Sequence, residues 1–123
     1  MSFSARRFQG SKQLDAAARN SPPLSPEASG EAVEILQQAL IDLGFKMPIS
    51  TARSGLPDGI FGSETSRAVH AFQSRHRLVQ DGVVGHATLA RLDAIFALRE
   101  KAALVRMSAE AIAPPPVSPW FLS

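Results

Sequence analysis

The chain has 123 residues, 45% hydrophobic and 20% charged, which suits one small domain or a smaller domain with tails. It has no cysteine, so neither a disulfide framework nor thiolate chemistry is available, and no apolar run approaches the ~20 residues of a membrane span. The net charge of +2 is uneven: residues 31–97 carry six basic and seven acidic side chains, and this slightly acidic middle, without a continuous basic face, argues against nucleic-acid binding.

The N-terminus, Met1-Ser-Phe-Ser-Ala-Arg-Arg-Phe8, has a basic pair with no apolar stretch behind it, so no Sec signal is read there. The expectation is cytoplasmic synthesis, with assembly into, or release with, a particle as an outcome compatible with it. Ser11 is placed to cap a short helix over Lys12–Arg19, with Leu14, Ala17 and Ala18 on one face. Asn20 to Gly30 reads as a Pro- and Ser-rich linker. By itself this arm, residues 1–30, is too short and too poor in apolar residues to fold, so it either hangs free or lies on something.

Glu31 to Leu43 predicts a helix, with Val33, Leu36, Leu40 and Leu43 on one face and Ile35 and Ala39 widening it. Glu31 and Glu34 suit its positive N-terminal end, and Gly44 is placed to stop it. Phe45 to Pro57 is a loop broken by Pro48, Gly55 and Pro57.

The next stretch organises the chain. Asp58-Gly59-Ile60-Phe61-Gly62-Ser63-Glu64-Thr65 returns 23 residues later as Asp81-Gly82-Val83-Val84-Gly85-His86-Ala87-Thr88. Asp-Gly makes a tight turn, the apolar pair anchors it inward, and the second Gly opens a helix. Thr in the first turn of that helix has a hydroxyl to offer to its unpaired backbone groups. The helices that follow are expected at about 63–76 and 86–97, with Thr65, Ala68, Val69 and Phe72 facing inward in one, and Leu89, Leu92, Ile95 and Phe96 in the other. Gln37 and Gln73 each follow a core residue, where a half-buried amide can bond to the backbone of the Asp-Gly turns.

Beyond Phe96 no Gly or Pro interrupts the pattern before Pro114. An uninterrupted helix over 86–112 would be roughly 40 Å long at ~1.5 Å per residue, too long for so small a bundle. Its overhang carries an apolar seam of Leu98, Ala102, Val105, Ala109 and Ile112, and a proline run leads to Trp120, Phe121 and Leu122. Together these residues read as a docking surface for other protein subunits, to which the N-terminal arm is added.

Glu31 to Phe96 resembles the peptidoglycan-binding-like domain, a three-helix module that accompanies many bacterial cell-wall hydrolases. The resemblance is carried by Ala32-Val33, Leu36-Gln37, Leu40, Leu43-Gly44, both Asp-Gly repeats, Ala68-Val69, Phe72-Gln73, Leu78 and Leu92. Ser63 and His86 stand where family members often have Pro, and the loop 45–57 is longer than the family's usual one. Arg7-Phe8-Gln9-Gly10, Leu14 and the linker add a looser likeness to the peptidoglycan-binding-like proteins found beside contractile injection systems. The resemblance implies an all-α fold: a three-helix domain at 31–97 with two repeated Asp-Gly units, an arm at 1–30 and a helical extension with a Pro-rich tail at 98–123. It implies non-catalytic binding of peptidoglycan or its stem peptides within a larger complex, or, alternatively, a structural adaptor subunit of a phage-tail-like contractile particle.

No catalytic residue, metal site or cofactor is expected. His70 and His76 fall on opposite faces of one helix, Asp58 and Asp81 are explained by turn formation, and Ser63 and Ser66 have no positioned base. The ligand-binding candidates, beside the repeated turns, are Asp58, Phe61, Arg67, Gln73, Arg75 and Asp81.

Overall fold

In the computed structural model, which describes residues 3–112 and the side chains of residues 3–106, the helices start where the sequence supplies a cap or a sharp turn. A single turn of 3-10 helix, Arg6–Phe8, precedes helix α1 (Lys12–Ala18), whose Leu14 N–H is accepted by Ser11 Oγ at 3.2 Å. Helix α2 (Glu31–Asp42) begins behind Gly30 at φ 113°, with Glu31 and Glu34 in its first turn. It stops before Gly44, whose φ of 98° ends the helix without a Cβ penalty. Helices α3 (Ser63–Arg75) and α4 (His86–Ile112) each follow an Asp-Gly turn. The described residues are helical with no strand; their only bridge pairs are Leu24 with Val84 and Ser29 with Ile60.

The inward faces are those that the periodicity marks. Val33, Leu36, Ala39 and Leu40 of α2 meet Ala68, Val69 and Phe72 of α3 and Leu89, Leu92 and Phe96 of α4 in one apolar cluster. Leu43, Ile35 and Ile95 are only partly covered, because each lies at the rim of its face. The Phe72 ring is fully buried, edge-on to Phe45 at 6.3 Å between centroids. Phe72→Ala should therefore lower stability by about 3–5 kcal/mol, read from a denaturant titration followed by circular dichroism. An unchanged midpoint would place this ring in solvent.

The arm lies on the helices. Phe3, Ala5, Phe8, Leu14, Ala17, Ala18 and Leu24 belong to the same cluster as the three long helices. Phe8 meets Phe96 edge-on at 5.9 Å, and α1 packs against α4 as α2 packs against α3. Polar contacts fix the register. Asp93 accepts the Ser4 and Ala5 N–H groups at 3.1 and 2.7 Å, and the Glu100 carboxylate accepts the Arg6 N–H. Arg7 lies over the Phe96 ring at 4.0 Å and pairs with Asp42 at 2.7 Å. Burial raises the pKa of the Asp42 carboxyl, but hydrogen bonds from Arg7 and Gln38 and the charges of Arg7 and Arg99 outweigh it and hold it below the ordinary value.

The segment that composition marks as a linker is a strap across both Asp-Gly turns. Leu24 and Val84 exchange both backbone hydrogen bonds, at 2.9 and 2.7 Å. Further along, Phe61 N–H donates to Ala28 O at 2.9 Å, and Gly30 N–H donates to Gly59 O at 2.9 Å. Turn backbone that would otherwise be left unpaired beside the core is satisfied this way.

α4 continues without interruption past the bundle to Ile112. On its overhang Leu98 and Val105 are 69% and 61% exposed, Ala102 is exposed as well, and Leu104 adds another bare side chain. The side chains of Ala109 and Ile112, and Trp120, Phe121 and Leu122 altogether, lie outside the described residues.

Candidate functional site

The two Asp-Gly turns are built from the same set of bonds. Gln37 is completely buried; its Nε2 donates to Asp58 Oδ1, Ile60 O and Thr65 Oγ1, each at 3.0 Å, while its Oε1 accepts the Gly59 N–H at 2.9 Å. Gln73 repeats this with Asp81 Oδ1, Val83 O, Thr88 Oγ1 and the Gly82 N–H, at 3.0 to 3.1 Å. Asp58 Oδ1 and Asp81 Oδ1 also accept the N–H two residues on. Gly59 and Gly82 both adopt φ 73°, the left-handed region. The threonine hydroxyls therefore face the glutamine amides rather than the unpaired groups of the helix ends. A buried amide in each turn competes for them and wins, because leaving its donor unpaired costs more.

The copies differ in what approaches them. A Cβ on Gly85 would strike the Asn20 side chain, whose Oδ1 accepts the His86 N–H at 2.8 Å and so caps α4 from the arm. Nothing lies within 4 Å of the equivalent position on Gly62. His86 Nδ1 lies 3.0 Å from Ala18 O, and the His70 ring leans over Gly82, where an added Cβ would sit 2.6 Å from Nε2. The His76 ring packs tilted against Phe72 at 4.4 Å between centroids, and burial, then the charges of Arg91 and Arg75, lower its pKa below the ordinary histidine value.

The six ligand-binding candidates fall in different places. Phe61 and Gln73 are interior, each 1% exposed, so neither presents a surface to a ligand. Asp58 borders a depression beside the first turn with Ile49, Arg53, Leu56 and Ile60, and Asp81 borders another beside the second with Asn20, Val79 and His86. Arg67 and Arg75 are exposed elsewhere, on α3, about 12 Å apart along its axis. There a groove of about 400 Å³ is lined by Phe45, Lys46, Pro48, Ile49, Glu64, Arg67, Ala68 and Ala71. Arg75 lies over the Phe45 ring at 4.7 Å. Glu64 fixes the groove's loop wall, accepting the Ile49 and Ser50 N–H groups at 3.0 and 2.7 Å. Burial pushes the Glu64 pKa up, yet these bonds outweigh it and hold the carboxylate below its usual value. Among the described residues no cluster of three or more acidic or histidine side chains could hold a metal ion, and no helix is long and apolar enough to cross a membrane.

The family described as "Putative peptidoglycan binding domain" matches residues 29–92, more than half of the chain and both Asp-Gly turns. The chain belongs to this peptidoglycan-binding domain family. An N-acetylmuramoyl-L-alanine amidase of Bacillus licheniformis, CwlL, is 40% identical over 78 residues, which cover 63% of this chain but only 20% of the amidase. The chain thus spans about a fifth of the length of that curated relative. Among solved structures, the SleB N-terminal domain aligns at TM-score 0.50 and 34% identity, over 60% of this chain and 92% of that one. A peptidoglycan-binding protein of Clostridioides difficile, solved in complex with glutamine hydroxamate, aligns at TM-score 0.52 and 31% identity, over 60% of this chain and 42% of that one.

Within this peptidoglycan-binding domain, the sequence reading missed Phe45, Lys46, Pro48 and Ile49 as groove residues. The available signal was the length of the 45–57 loop. The loop is anchored by Glu64, 14 and 15 residues away, by the buried Met47 and by Phe45 against Phe72, and none of these anchors follows a periodicity from which its placement on α3 could be read.

Proposed function

We propose that this chain is a non-catalytic module that binds bacterial peptidoglycan or its stem peptides as part of a larger complex. The supporting observation is the pair of identical Gln–Asp-Gly–Thr turns inside the segment that carries the family match. These turns make a rigid frame and use up the groups that hold them, leaving ligand contact to the exposed side chains around them. Arg67 and Arg75 are the candidates that keep exposed positions on α3; Asp58 and Asp81 keep rim positions beside their turns.

Sedimentation with purified insoluble cell wall tests this reading. The protein should pellet with the wall at low salt, and less so as salt rises, because contacts to wall carboxylates are screened. A protein that stays in the supernatant at every salt concentration would end the reading.

A second reading is supported by α4. Leu98, Ala102 and Val105 leave a bare apolar strip on a helix that has run past its own bundle, and such strips mark interfaces. On this reading the chain is an adaptor subunit, in a phage-tail-like contractile particle or a comparable assembly, and the same fold serves protein contacts. Truncation after Lys101, which spares the Glu100 contact to Arg6, separates the two jobs. The shortened protein should stay folded and keep its affinity for the wall while losing its place in any assembly.

A further inference from the structure

We infer that the groove between α3 and the 45–57 loop is the ligand subsite, and that Lys46 and Arg67 receive the free carboxylates of an acidic, alanine-containing stem peptide. This rests on the peptidoglycan reading and deepens it by naming the site and the part of the polymer that is recognised. Three observations carry it. The floor, Ala68, Ala71 and the half-buried Phe45, is apolar and shallow, so it admits methyl and methylene groups rather than a polar sugar ring. Two exposed cations, Lys46 and Arg67, stand along that floor, and Arg75 adds a third charge above Phe45. None of the three pairs with a carboxylate, the salt bridge between described residues being Arg7–Asp42.

The single carboxylate in the groove, Glu64, offsets only part of this charge, since two cations and one anion leave the lining net positive. Glu64 spends both oxygens on the loop N–H groups of Ile49 and Ser50. A net positive lining beside an apolar floor matches a short peptide that carries carboxylates between small side chains. The other depressions do not offer this. Beside the second turn the lining contains the Asp81 carboxylate, and its His86 ring is already engaged with Ala18 O. Beside the first turn Arg53 is matched by Asp58 within the same lining.

Titration of the full chain with two soluble probes decides it: a disaccharide-tetrapeptide with free carboxylates, and the same compound with those carboxylates amidated. The free form should bind at least about tenfold more tightly, with the largest amide NMR shifts at residues 45–49 and 67–71. Lys46→Gln combined with Arg67→Gln should bring the affinity for the free form down to that for the amidated one. Arg53→Gln, at the first-turn depression, should leave both affinities unchanged. Circular dichroism checks that each variant is folded. Equal affinity for the two probes, an unchanged affinity in the double variant, or shifts centred on the Asp-Gly turns would each overturn the inference. Those results, obtained with a protein that still sediments with whole wall, would leave the peptidoglycan reading standing. Loss of wall sedimentation would remove that reading itself.

Discussion

A chain lacking residues 1–30 should lose its cooperative thermal transition. Phe8, Leu14 and Leu24 are fully buried, and burying each such side chain contributes about 1.5–3 kcal/mol. Their removal alone would subtract roughly 5–9 kcal/mol from a stability that for small domains is about 5–15 kcal/mol. The deletion would also bare Phe96 and strip Val84, Phe61 and Gly59 of their strap hydrogen bonds. It would leave Asp93, which is buried, without the two N–H groups that it accepts. Circular dichroism of residues 31–123 should show reduced helix and a broad, shallow melt. A sharp melt within a few degrees of the full chain would mean that the arm is dispensable.

The other large effect concerns the buried amides. Gln73→Ala should cost on the order of 3–5 kcal/mol, because the Gly82 N–H, Val83 O and Thr88 Oγ1 lose a partner that no water can easily replace. Gln73→Glu adds a diagnostic pH dependence. The introduced carboxyl would be buried and would face Asp81 Oδ1 and Val83 O, both acceptors, so its folded-state pKa would rise above the unfolded value. A raised carboxyl pKa means that the protonated form is tolerated. The penalty is therefore smallest below the unfolded pKa and grows as pH rises through the folded one. Denaturant midpoints of the variant and the parent should diverge from pH 4 to pH 7. A gap that stays constant over that range would show that residue 73 does not donate to the second turn.

The same substitutions at Gln37 should behave alike, since its partners Asp58, Ile60 and Thr65 are the first-turn equivalents. This equivalence is legible in the sequence because both ends of each network are short-range or repeated. Gln73 lies 8 to 15 residues from its partners, Gln37 lies 21 to 28 from its own, and the Asp-Gly template marks where those partners sit. The candidate site is different. Asp58 and Asp81 stand out in the sequence because they recur, yet recurrence signals the turn each one closes. Lys46 recurs nowhere and follows no period, and its position is set by how a non-repeating loop folds onto α3.

The sequence by itself determined the helices, their inward faces, the two turns and the role of the two glutamines, because each depends on residues spaced at helical or turn intervals, which local backbone geometry converts directly into direction. Only the tertiary structure decided where the arm and the loop belong. Phe3 and Phe8 sit among arginine, serine and alanine with no period to announce a buried face, and they enter the core because α4 offers Phe96 and Asp93 some 90 residues further on. Contacts across that separation follow from the shape and unpaired groups of the assembled surface, and no short stretch of chain encodes those.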